Sequence, residues 1–129
     1  MPAQAPSPFS YAIVRVVPSV ERGEGLNVGV VLFCRQLGFL AARVALDERR
    51  LGALAPDFSP EIVRPNLQAI VRIAAGDPDA GPIAALPASE RFGWLVAPAS
   101  TIIQPSPVHT GLCENPAATL DELFAELVG

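Results

Sequence analysis

Lysine is absent from this chain, and histidine, tryptophan, tyrosine and methionine occur once each. All nine basic residues are therefore arginine, set against thirteen acids for a net charge of −4. Arginine alone, beside so much alanine and proline, is most simply codon bias and carries no chemical argument. There is no basic run either. Nucleic acid demands a positive stripe that displaces counterions from its phosphates, so the charge pattern argues against general nucleic-acid binding. No apolar stretch approaches the roughly 20 residues that cross a bilayer, so no membrane partner is expected. The leading Met1-Pro-Ala-Gln-Ala-Pro-Ser-Pro8 lacks the positive and apolar segments of a signal peptide. The two cysteines, Cys34 and Cys113, are then expected to be reduced, small and buried, in a cytoplasmic protein.

What is present is an ample core. Half of the 129 residues are apolar, which excludes the low-hydrophobicity signature of disorder and suits one domain. Residues 1–9 read as a disordered lead and 10–129 as a single domain. Charge is uneven: residues 1–64 hold seven arginines and six acids, residues 65–129 two arginines and seven acids.

Three β-branched runs open the domain. Tyr11–Val17 alternates, Leu26–Cys34 follows a charged connection, and Phe39–Leu46 returns after the turn Arg35–Gly38. In the second run Leu26, Val28, Val30 and Leu32 would share one face, and Gly29 marks a bulge or a close backbone approach. Helix signals then take over. Asp47 can cap a short helix to Leu54. Ser59-Pro60-Glu61 announces a longer one with Val63, Leu67, Ile70, Val71 and Ala74 on its buried face. Pro65 either kinks that helix or starts it after a turn. Residues 89–96 fit a helix or a strand. Phe92 and Trp94 there read as core. Thr101–Gln104 is a short fourth strand, and Asn115-Pro116 starts a last helix with Leu120, Leu123, Phe124 and Leu127 in one stripe. The expected fold is α+β: an antiparallel sheet of three to four strands with helices packed on one face.

Chemistry concentrates in Ser100–Cys113, which holds the lone imidazole, one thiol and four hydroxyls. Pro105 and Pro107 stiffen the backbone around Ser106. If this loop and the 22–27 segment reach the same end of the sheet, Glu24, Ser106 and His109 would supply acid, hydroxyl and imidazole for acyl transfer. Arg22, Asn27, Gln104 and Thr110 would complete a polar binding surface. Arg15, mid-strand on an apolar face, needs an anion, with Glu24 the first expectation and a bound ligand the second. No nucleophile elbow or oxyanion-hole signature accompanies Ser106, so its hydroxyl and that of Thr110 are as readily read as turn caps. His109 and Cys113 with Cys34 fall one ligand short of a closed zinc site, so neither metal nor cofactor is expected.

The runs Arg22-Gly-Glu-Gly-Leu-Asn-Val-Gly-Val-Val-Leu32 and Gln104-Pro-Ser-Pro-Val-His-Thr-Gly111 carry a family resemblance. Together they resemble the bacterial domain-of-unknown-function 3037 family, from about Tyr11 to Val128. Gly25 departs from that pattern, where a bulkier residue often stands. The resemblance implies a small bacterial cytoplasmic protein with no established activity. It also implies a protein partner, because members of that family are often encoded beside a HipA-like kinase. It assigns no catalytic residue and no oligomeric state. Two readings result: a non-catalytic protein-binding or regulatory module, and a small hydrolase or transferase using Ser106 and His109 with Glu24.

Overall fold

A computed structural model of the chain describes residues 5–129. Ser7–Val16 (β1), Leu26–Cys34 (β2) and Phe39–Val44 (β3) form an antiparallel meander, as their alternation predicts. Two short strands, Ile103–Pro105 (β4) and His109–Cys113 (β5), then pair end to end along the outer side of β1. The fold is α+β with five strands, where the sequence suggested three to four. Pro105 and Pro107, expected to stiffen a loop around Ser106, split one edge into two pieces. The expected disordered lead also needs correction. Residues 1–4 lie outside the described residues, whereas Ser7–Ser10 belong to β1 and pair with β5.

Helices cover both faces of the sheet, not one. Glu48–Leu54 (α1), Arg64–Ala75 (α2) and Ala88–Val96 (α3) contribute to a core with Val14, Val16, Val28 and Val31. Pro116–Leu127 (α4) packs on the other face, over Phe9, Val30, Leu32 and Cys34. A β-bulge explains the miss. Val14 pairs with Gly29 and Arg15 with Asn27, leaving Val28 as the extra residue. One extra residue exchanges the faces of everything before it. Leu26 and Val28 therefore join the α2 side, while Val30, Leu32 and Cys34 face α4. Gly29 sits at the bulge because a Cβ there would meet Val44 Cγ1 at 2.7 Å and the Arg43 carbonyl at 2.9 Å. The doubly covered β2 dominates stability: Leu32 is fully buried, and truncating such a side chain costs about 2–5 kcal/mol.

Local chemistry sets the helix ends. The Asp47 carboxylate accepts from the Arg49 and Arg50 N–H groups at 3.0 and 3.2 Å, capping α1 as expected. Ser59 and Pro60 open only a single 3₁₀ turn, Pro60–Ile62, and α2 follows with Pro65 in its first turn, where a missing N–H is harmless. Gly76 ends α2 in the left-handed region at φ 72°. The 89–96 ambiguity resolves as the helix α3. Asn115 Oδ1 accepts from the Ala118 N–H at 3.1 Å and caps α4.

Candidate functional site

Ser106 lies between β4 and β5, where neither strand can bond β1. Its N–H donates to the Ile13 carbonyl at 2.7 Å, and its Oγ accepts from the Ile13 N–H at 2.8 Å. The hydroxyl proton in turn goes to the Pro107 carbonyl at 2.9 Å. One serine thus supplies both hydrogen bonds that an unbroken strand would have given Ile13. Its Oγ is committed on both the accepting and the donating side, and among the described residues no base accepts its proton. The turn-cap reading of Ser106 is the one its geometry supports.

His109 stands apart from it. It opens β5 opposite Tyr11, their ring centroids 5.2 Å apart and the planes tilted by 32°, and its side chain is exposed. Among the described residues it makes no side-chain hydrogen bond to an acid or a hydroxyl. Arg15 pairs with both Asn27 and Gln104, so these three share a register row on the α4 side of the sheet, and His109 belongs to the same face. Four positions of β1 separate the Tyr11 and Arg15 rows, about 13 Å of strand. Asn27 is committed to the helix, donating from Nδ2 to the Leu127 carbonyl at 3.1 Å. Gln104 is turned to the Thr101 carbonyl at 2.8 Å.

The acid lies elsewhere. Glu24 ion-pairs with Arg22, not with Arg15, and both are exposed in the β1–β2 connection. This corrects the expected Arg15–Glu24 pair. The Arg15 guanidinium rests against the Gly25 backbone instead, where a Cβ would stand 2.8 Å from Nη2. A bulkier residue at position 25 would displace it. Arg22 and Glu24 rim a cavity of about 360 Å³ whose other walls come from Leu54–Phe58. Among the described residues no hydrogen bond joins the serine, the imidazole and the carboxylate: Ser106 is held by Ile13 and Pro107, His109 lies against Tyr11, and Glu24 pairs with Arg22.

Thr110 points to the opposite face from His109, because successive strand residues alternate. It pairs with Ser10 and helps line a groove of about 460 Å³ between α3 and the β5–β1–β2 end of the sheet. Phe33 and Phe92 form its floor, their centroids 5.3 Å apart. Arg35 stands at its side, 5.9 Å from the Phe33 centroid. Beyond the groove β5 has only β1 as a strand partner, so its outer edge is unpaired among the described residues. That edge carries no charged side chain, and Leu112 is 67% and Val108 44% exposed. The arrangement can bind an apolar or extended ligand.

The residues matched by a family model run from 11 to 128, nearly the whole of this architecture, and the family is described as Protein of unknown function (DUF3037). The chain belongs to the DUF3037 family. No curated protein and no solved structure matches it. In this DUF3037 domain both thiols are buried in the core under α4. Burial pushes the Cys113 thiol up, and the neighbouring Cys34 thiol adds to the rise, so Cys113 is a poor nucleophile. Among the described residues no helix is long and apolar enough to cross a membrane. Three features of the DUF3037 surface escaped the sequence: Arg35, read only as part of a turn; Leu112, whose neighbours gave no sign of exposure; and Trp94. The tryptophan is 61% exposed on α3, not core, whereas Phe92 is buried as expected. A helical wheel over 88–96 separates these two aromatics, but only once helix is chosen over strand.

Proposed function

We propose that this protein is a non-catalytic binding module of the bacterial cytoplasm, docking a protein partner on the β5 edge and the groove beside it. The partner is a HipA-like kinase, whose activity or availability the docking regulates. One observation carries the reading: a strand edge that is uncharged and, among the described residues, unpaired, with Leu112 on the strand and Val108 beside it exposed. Unguarded edges recruit strands from other chains, so proteins that must stay free of partners blunt them with charge, proline or a covering element. An edge left open beside apolar side chains is suited to strand addition, with backbone bonds giving affinity and side chains selectivity. The polar 22–27 segment, expected to share in binding, lies away from this edge. The hydrolase or transferase reading loses support, because Ser106 is engaged with Ile13 and Pro107 and, among the described residues, His109 makes no side-chain hydrogen bond to a hydroxyl or an acid.

The test is capture from the native host on tagged protein, followed by reconstitution with the purified kinase and with a Leu112→Glu variant. The kinase should be retained, and Leu112→Glu should weaken binding about tenfold or more with an unchanged melting temperature. Equal binding by the variant, or no binding by the wild type, would remove the reading.

A further inference from the structure

We propose that the groove between α3 and the β5–β1–β2 end of the sheet receives an acidic, extended segment of the docking partner. The inference rests on the docking reading above and names the partner's chemistry. The argument is charge complementarity. Arg35 lines the groove and, among the described residues, has neither an ion-pair nor a hydrogen-bond partner for its guanidinium. No carboxylate lines the groove with it. Of the nine arginines, Arg22, Arg43, Arg50, Arg64 and Arg72 all meet acids in the folded chain. Arg35 is a cation beside an aromatic floor with nothing opposite it.

The rest of the lining fits the same occupant. Phe33 and Phe92 offer an apolar floor for a side chain, while Ser10, Ser89 and Thr110 offer hydroxyls to a peptide backbone. At about 460 Å³ the groove holds two or three side chains. The chain as a whole is acidic at −4, so most of its surface repels a carboxylate. Remote acids are screened beyond about 8 Å at physiological salt, and the local cation decides. A lone arginine suits a carboxylate; phosphate sites gather several basic groups.

The experiment selects from a phage-displayed random dodecapeptide library on the immobilised full chain. Enriched sequences should hold Asp or Glu within two residues of an aromatic or large aliphatic residue. Synthetic copies of them should perturb the amide resonances of Ser10, Phe33, Arg35, Gly93 and Thr110. Replacing the acid by its amide should weaken binding about three- to tenfold, Arg35→Gln should do the same, and the two together should cost no more than either alone. Arg35 is exposed in a turn, and an unchanged melting temperature will show that the variant is folded. Failure to enrich any sequence, enrichment without acids, or indifference to Arg35→Gln overturns the proposal. If Leu112→Glu abolishes kinase binding while Arg35→Gln leaves it intact, docking stands and the acidic segment falls.

Discussion

The two edges of this sheet are built to opposite ends. At one, β3 is wedged between α2 and α4, and its outward charge, Arg43, is held by Asp121 at 2.6 Å and lies 4.4 Å from the Phe124 ring centroid. At the other, β4 is stopped by Pro105 and Pro107, but β5 beyond them has no charge and no proline, and among the described residues no strand pairs with its outer side. Both edges present unpaired backbone groups, so the difference lies in the side chains and helices set around them. Among the described residues, a sheet that guards one edge with a charge and interrupts the other with prolines leaves β5 as its longest open stretch on that side. The docking proposed above rests on the location of that opening, not on a reactive side chain.

The comparison can be broken first at the junction of the guarded and open halves. Ser106→Ala removes the acceptor of the Ile13 N–H and should lower stability by about 1–2 kcal/mol, read by chemical denaturation. A nucleophilic serine would behave otherwise, losing turnover with no shift in the unfolding midpoint. At the opposite edge, Arg43→Ala should cost only about 0.5–1 kcal/mol, since the pair with Asp121 is exposed on both sides. Its larger consequence should be concentration-dependent self-association, visible by analytical ultracentrifugation, as a second edge loses its guard. A variant that stays as monodisperse as the parent would show that packing by α2 and α4, not the charge, protects β3.

Smaller effects sharpen the picture. With only the Tyr11 contact in place, His109→Ala should move stability by less than about 0.5 kcal/mol. A larger drop in melting temperature would mean that the imidazole is tied into the loop after all. The least effect belongs to acid titration away from both edges. Arg72 donates to Asp77 at 2.9 Å and, with the Asp79 N–H, holds its carboxyl below the usual range. A carboxyl lowered in the folded state stabilises above its unfolded value, and that contribution disappears as pH falls through the folded value. Asp77→Asn should therefore lower stability slightly at neutral pH and flatten its decline on the acid side, with wild type and variant converging once pH has fallen below the folded value of Asp77.

Much of the fold was legible in the residues. The meander follows from alternation, and the caps at Asp47 and Asn115 follow from side chains that can accept from the first free N–H groups. The misses have physical causes. Alternation in β2 could not show which residue is the extra one in the bulge, and that one residue decides whether the sheet has one covered face or two. Gly29 signalled the bulge, but its consequence depends on the partner strand. At the site, two prolines around Ser106 read as a stiffened loop after the fourth strand, a pattern that hides the return of pairing at β5 and with it the open edge. The chemical richness of Ser100–Cys113 then drew attention to side chains, one of which repairs a ladder while another lies exposed on β5. Tertiary pairing, absent from composition and spacing, separates Glu24 from both.

The central claim, that β5 is the working edge, is tested most directly by amide hydrogen exchange on the protein alone and bound to the kinase. Residues 108–113 should gain protection on binding, with residues 39–44 unchanged and no effect at the cavity formed by 18–24 and 54–58. Protection that appears on β3 or at that cavity, with residues 108–113 exchanging as they do in the free protein, would contradict the account.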